Sequence, residues 1–222
     1  MARLAVALRE GTCIVFSGAG ISTSSGLPDY RGPKGVWTLR EKGIEPDFPV
    51  TLENAKPTTG HVVVSSLVKE GLVRAVVTTN IDGLHQKAGV AEEKIAELHG
   101  NCFKTCCKDC KTIAVHDYDV LKPKANDDHV TGRKCDKCGG ALLDNIVHFG
   151  EPLASNDFAR AGTWAKSSDY ALVLGTSLRV RPANTLPQMV SKEVFVVNLQ
   201  KTPLDAKACV TYVFFFFFFF FF

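Results

Sequence analysis

The sequence predicts an α/β fold in which an open parallel sheet is interrupted by a small cysteine-rich module. Three observations predict it. Short apolar runs ending in polar or glycine residues alternate with helix-like stretches, the rhythm of a parallel sheet. The first of these runs passes directly into Gly18-Ala19-Gly20, the strand–turn arrangement of Rossmann-like folds. Six of the eight cysteines fall between Cys102 and Cys138, where the α/β rhythm stops.

Taken in order, residues 1–10 place Leu4, Ala7 and Leu8 on one face and predict a helix. Thr12-Cys13-Ile14-Val15-Phe16 predicts a buried strand, with Cys13 as a small core residue. Ser17-Gly18-Ala19-Gly20-Ile21-Ser22 then predicts a tight turn and a helix start. The turn lacks the third glycine of a full dinucleotide fingerprint, so by itself it fits an ordinary strand–helix connection equally well. A helix is expected over 61–70, stopped by Gly71, and Val-rich strands over 72–78, 171–175 and 194–199. Ligands of open parallel sheets bind outside the carboxyl ends of the strands. Residues 18–22, 78–82, 175–177 and Asn198 are therefore expected to converge on one crevice.

With 222 residues, 45% of them hydrophobic, the chain suits one domain, or one domain with an insert. A net charge of +3 neither demands nor excludes a nucleic-acid partner. No charged-then-apolar leader and no membrane-length apolar run is visible, so a soluble intracellular protein without a membrane partner is expected. The expected division is a sheet domain over 1–101 and 139–207, the cysteine module over 102–138, and an atypical tail over 208–222. That tail ends in nine consecutive phenylalanines, 214–222. The run is too short to span a membrane and has no periodicity, and it reads as a translated homopolymer or a gene-model artefact.

Two C-x-x-C pairs, Cys107–Cys110 and Cys135–Cys138, are spaced as in a zinc ribbon. A disulfide framework is the weaker alternative without a secretion signal. Cys106 has no matching partner, because position 109 is Asp, and is read as a bystander.

Three polar clusters exceed what folding requires. Pro28-Asp29-Tyr30-Arg31-Gly32-Pro33, with Gly35-Val36-Trp37 after it, suggests a loop that reaches back over a cofactor. Thr78-Thr79-Asn80-Ile81-Asp82-Gly83-Leu84-His85 sets an amide and a carboxylate at a strand end. Glu97-Leu98-His99-Gly100-Asn101 offers a histidine that can act as a base, with room for substrate beside the glycine. Singly, each cluster fits turn capping or surface polarity as well.

The strings GAGIS, PDYRGPKGVW, TTNIDGLH, ELHGN, the paired C-x-x-C, HFGE, GTSLRVRP and VNLQ occur here in the order typical of the sirtuin family. The chain resembles that family from its first helix to Lys207. It is most similar to the nuclear branch that includes the human sirtuins 6 and 7. The resemblance implies an NAD-dependent protein-lysine deacylase, a transferase that consumes NAD and releases nicotinamide and O-acyl-ADP-ribose. Its implied substrates are acylated lysines of histone tails or other nuclear proteins.

It also implies the roles of individual residues. His99 would be the catalytic base, and Asn80 and Asp82 would form the nicotinamide pocket, with Asp82 holding the carboxamide. Gly18, Ala19, Gly20 and Thr23 would line the cofactor turn. Asp29, Tyr30, Arg31 and Trp37 would belong to the cofactor-binding loop. Gly175, Thr176 and Ser177 would contact phosphate and ribose, and Asn198, Leu199 and Gln200 the adenosine end. Val147, Phe149 and Gly150 would border the acyl-lysine tunnel. Cys107, Cys110, Cys135 and Cys138 would hold structural zinc.

Three features depart from the family pattern: Thr79 where Gln is usual, Tyr30 where Phe is usual, and the Phe run where a glycine-bearing segment normally closes over adenine. Two other functions share parts of this pattern. A mono-ADP-ribosyltransferase of the same family would share every cofactor residue, and a catalytically weak chromatin-associated scaffold would tolerate the altered terminus. A pure zinc-ribbon nucleic-acid module would leave GAGIS and GTSL without a role.

Overall fold

The computed structural model describes residues 2–122, 129–148, 150–206, 208 and 210–212. The Phe run, Phe149 and Lys207 lie outside the described residues. Six strands form one parallel sheet: β1 (Cys13–Ser17), β2 (Ala75–Thr78), β3 (Ile95–Glu97), β8 (Tyr170–Leu174), β9 (Glu193–Val197) and β10 (Val210–Tyr212). Their order across the sheet is β10-β9-β8-β1-β2-β3. The chain thus builds outward from β1 in one direction and later from β8 in the other, the doubly wound Rossmann order. The switch point, where such sheets bind ligands, lies between β1 and β8.

All five residues of β1 are buried, as are all four of β2. This double burial explains why the strands read as continuous apolar runs rather than alternating ones. On one face, helices α1 (Ala2–Glu10) and α3 (Thr59–Lys69) supply Ala7 and Val64, which pack with Val15, Val76 and Phe195. On the other face, α5 (Ser155–Lys166) supplies Ala161 and Ala165 against Ile14, Val77 and Val173. Alanines there let the helix lie close to the sheet. Gly71, at φ +73°, follows α3 and stops it.

The helix expected after the Gly-x-Gly turn does not form. Ala19–Ile21 and Thr23–Ser25 are two single 3₁₀ turns. Thr23 and Ser25 turn their hydroxyls onto nearby carbonyls, Thr23 Oγ1 to Gly20 O (3.1 Å) and Ser25 Oγ to Ser22 O (2.8 Å). Such local bonds compete with helix propagation. The Gly20 N–H is also diverted to Gly175 O (2.8 Å) on the neighbouring strand end.

The second sheet is antiparallel, with order β5-β4-β7-β6, and is built from β4 (Lys104–Cys107), β5 (Ile113–Val115), β6 (Val130–Lys134) and β7 (Ala141–Asp144). It includes 141–144, which the cysteine spacing assigned to the large domain. Two short helices complete the elements used below, α2 (Val36–Glu41) and α4 (Leu84–Lys87).

Candidate active site and metal centre

A cleft open to solvent crosses the switch point. Its floor is the pair of strand-end turns. A Cβ on Gly18 would lie 2.6 Å from Thr176 Cβ, and one on Gly20 would lie 2.7 Å from Gly175 O. Both glycines are therefore required by the approach of the β1 and β8 ends, which leaves peptide edges instead of side chains facing the cleft. Gly175, at φ +57°, reaches within 2.4 Å of Ile21 N at its own ideal Cβ position, so no other residue fits there.

Around this floor stand Ala19, Asp29, Tyr30, Arg31, Thr79, Asn80, His99, Thr176, Ser177, Asn198 and Gln200. Residues far apart in sequence are thus brought together as the strand-end reading expects. Thr23 and Leu199 line an adjoining depression that shares Gly20, Asp29, Gly175, Asn198 and Gln200 with the cleft. Trp37 borders a third depression with Arg31 and Arg179, and its ring stacks on Tyr30 at 6.1 Å. Arg179, inside GTSLRVRP, adds a second cation beside Arg31 on the cleft wall. Nothing in the sequence beyond that string singles out Arg179.

Asp29 holds its own loop in shape. Its Oδ1 accepts Gly32 N–H (2.9 Å) and its carbonyl accepts Val36 N–H (2.8 Å), while Tyr30 O accepts Trp37 N–H (2.9 Å). A Cβ on Gly32 or Gly35 would strike the Asp29 carboxylate.

His99 is held at one nitrogen. Its Nδ1 lies 3.1 Å from the carbonyl of Thr79. A carbonyl only accepts, so Nδ1 carries the proton and the lone pair sits on Nε2. Burial lowers the pKa of His99 and the Thr79 bond partly opposes this, with a net lowering. The neutral, proton-accepting form dominates near neutral pH. Thr79 serves His99 through its main chain, and its side chain turns to Ser17 O (3.4 Å).

Asn80 is buried at the cleft wall, its Nδ2 donating to Gly18 O (3.1 Å) and Ser22 Oγ (3.2 Å). Ser22 passes its own proton to Asp82 Oδ2 (2.6 Å), and Asp82 Oδ1 accepts Leu84 N–H (3.0 Å). Ser22 and Asp82 are both buried, and neither lines the main cleft.

A second buried chain supports Asn80 from below. His85 Nε2 lies 2.8 Å from Ser17 Oγ, Ser17 Oγ donates to Thr78 Oγ1 (2.9 Å), and Thr78 Oγ1 accepts Asn80 N–H (3.1 Å). His85 stacks edge-on with His61 at 4.8 Å. Ser22 and Thr78 lie in segments expected at the crevice and His85 in the second polar cluster, but nothing in the sequence assigned any of them, or Ser17, an individual role.

The segment 97–101 is fixed by Glu97, a buried acceptor of Gln86 Nε2 (2.7 Å), Asn101 Nδ2 (2.5 Å) and Lys104 Nζ (2.6 Å). Gly100 does not leave room for substrate, contrary to expectation. At φ +83°, a Cβ there would lie 2.1 Å from Asn145 O. The space is filled by the segment 145–147, whose Asn145 Oδ1 accepts Asn101 N–H (3.0 Å) and whose Val147 N–H donates to His99 O (3.1 Å). Val147 is thereby placed beside His99. Gly150 is exposed at φ +89° with open space around it.

Cys107, Cys110, Cys135 and Cys138 converge, with all four Sγ atoms within 4.8 Å of one another. Cys107 and Cys138 approach to 3.4 Å, and Cys110 and Cys135 to 3.8 Å. Four thiolates at 2.3 Å around tetrahedral zinc stand about 3.8 Å apart, so the donor set fits zinc. Four protein ligands leave no open position, the mark of a structural site. Cys106 Sγ points elsewhere, toward Cys107 O and Lys111 O. Cys13 is buried in the sheet, and burial pushes its thiol up to about 12.

The fold and these two centres define a Rossmann-type protein with a polar cleft at its switch point and a four-cysteine ribbon. The Sir2 family model matches residues 47–182. The chain is 42% identical to the NAD-dependent protein deacetylase SRT1 of Oryza sativa subsp. indica, over 92% of this chain and 43% of that protein. It is 41% identical to the NAD-dependent protein deacetylase sirtuin-7 of Homo sapiens, over 91% of this chain and 53% of that protein. Against an NAD-dependent protein deacetylase of Caldivirga maquilingensis the identity is 38%, over 89% of this chain and 81% of that protein. A solved structure described as Sir2-p53 peptide-NAD+ superposes with a TM-score of 0.74 at 34% identity, over 96% of this chain and 92% of that one. The chain belongs to the Sir2 family, the sirtuins. It spans about half the length of most of the curated relatives it matches.

Proposed function

We propose that this chain is an NAD-dependent protein-lysine deacylase. The carrying observation is His99: a neutral imidazole, locked through Nδ1 with its lone pair on Nε2, lines a cleft that crosses the switch point of a Rossmann sheet. The donor set of that cleft fits the dinucleotide. Thr176, Ser177, Arg31 and Arg179 offer hydroxyls and cations suited to a diphosphate, and Asn80 and Asn198 offer amides suited to ribose or nicotinamide. Bound NAD would supply an electrophilic ribose carbon with nicotinamide as its leaving group. The Asn80–Ser22–Asp82 network would hold the nicotinamide end, with Asn80 on the cleft wall and Asp82, bonded to Ser22, as the carboxylate for the carboxamide. His99 Nε2 would accept the proton of a ribose hydroxyl. The segment 145–147 would present the acyl-lysine substrate, because its Val147 already bonds the backbone of the base.

The relatives named as deacetylases, and solved Sir2 structures described as bound to acetylated and propionylated peptides, support this reading. Histone tails as substrates, chromatin as the setting and the nucleus as the location rest on the resemblance to the branch of sirtuins 6 and 7. Within the described residues, no helix is long and apolar enough to cross a membrane.

The test incubates the full chain with NAD and an acetylated histone-tail peptide, with a long-chain acyl peptide alongside. Release of nicotinamide in step with loss of the acyl mass supports the proposal. Gain of an ADP-ribose mass on the peptide would identify a mono-ADP-ribosyltransferase instead. Absence of both products in zinc-loaded, folded protein would refute either enzyme and leave the scaffold role.

A further inference from the structure

Among the described residues, a second set of metal-type ligands lies outside the cysteine cluster: His129, Asp144 and His148, with one ligand atom of each within 4.8 Å of the others. Asp144 ends β7 and is buried. Its Oδ1 lies 2.9 Å from His129 Nδ1 and also accepts Ile146 N–H (3.0 Å). The other nitrogen of His129, Nε2, lies 2.9 Å from Glu151 Oε1. The rings of His129 and His148 meet edge to face at 4.5 Å. His148 Nε2 is buried and, among the described residues, has no hydrogen-bond partner.

We propose that His129, Asp144 and His148 form a second site, for a divalent cation of the zinc type, distinct from the four-cysteine centre. Two imidazoles and one carboxylate are a zinc ligand set that leaves a fourth position for water. His129 would coordinate through Nδ1, beside Asp144, and give its Nε2–H to Glu151. A carboxylate on the far nitrogen of a ligating histidine is the usual support of such a ligand, because it fixes the tautomer and the ring. Glu151 is itself held by His148 N–H (2.7 Å). Bonds of 2.0–2.1 Å put tetrahedral ligand atoms about 3.4 Å apart, so an ion would draw the set together by roughly 1.4 Å at most.

The competing arrangement is a protonated His129 clamped between Asp144 and Glu151, with no ion. It leaves the buried Nε2 of His148 without a role, whereas coordination through that nitrogen would satisfy it. Occupancy would join the small sheet, through Asp144, to the segment that follows Val147, and so brace the stretch lying over Gly100.

The experiment loads the full chain with Zn²⁺, removes excess by dialysis and measures metal per chain, together with cobalt substitution. The parent is expected to hold two ions. The second Co²⁺ equivalent should give visible d–d bands without added thiolate charge transfer. His148→Ala and His129→Asn should each hold one; Asn is chosen because it tolerates the φ of +63° at position 129. The ion retained by the cysteines reports that each variant's module has folded. One ion in the parent, or two in the parent and in both variants, would overturn the proposal.

Discussion

Gly100→Ala tests whether His99 is positioned by backbone contact or by space left for a ligand. Two costs follow from the structure. The φ of +83° places alanine in the left-handed region, at about 1–2 kcal/mol. Loss of chain entropy in the unfolded state returns about 0.4–1 kcal/mol, for a net of roughly 1 kcal/mol. The new Cβ would also displace Asn145 O, 2.1 Å away. That displacement breaks the Asn101–Asn145 and Val147–His99 bonds, worth about 0.5–1.5 kcal/mol each. The expected total is about 2–4 kcal/mol. Gly71→Ala is the control, since Gly71 has a φ of +73° and nothing within 4 Å of its Cβ position; it should cost only the conformational share. Urea unfolding of both variants at one pH measures the difference. Equal destabilisation, within about 0.5 kcal/mol, would show that the segment 145–147 is not held against Gly100.

Further outcomes follow from the same geometry. His99→Ala should fold, retain zinc and retain most NAD affinity, and lose deacylation by on the order of 10²-fold or more; parallel binding and rate measurements check it. Because burial holds the His99 pKa below the usual ~6.5, kcat/KM should stay on its plateau at neutral pH and fall only as pH drops below that value. A limb centred above neutrality would contradict His99 as the base. Cys135→Ala should release metal and unfold the small sheet, whereas Cys106→Ala should keep it, as metal analysis will show. Burial, aided by His61, lowers His85 to about 3. Between that value and ~6.5 the unfolded chain binds the extra proton, so stability is full above ~6.5 and declines as pH falls. His85→Gln should reduce the slope of unfolding free energy against pH in that window by up to one proton, measured by urea titration at several pH values.

The sequence alone determined the sheet domain, because strands buried on both faces must be continuous apolar runs, and β1, β2, β8 and β9 lie within two or three residues of those runs. It also determined the cysteine ligands, since C-x-x-C spacing is a local property of a ribbon turn. The gathering of strand ends was legible too, because parallel strands all carry their carboxyl ends to one edge. Other features depend on what a residue meets across the fold. The helix expected after Gly20 gave way to 3₁₀ turns because Gly20 bonds to Gly175, more than 150 residues away in the chain. Only the tertiary structure bonded Ser22 to Asp82, chose the His99 tautomer through the Thr79 carbonyl, and filled the space beside Gly100 with Asn145. It alone joined His85 to Asn80 through Ser17 and Thr78, and brought His129 to His148. The physical reason is the same in each case: periodicity and spacing record which neighbours are near in the chain, whereas a buried hydrogen bond takes whichever partner packing brings within about 3 Å.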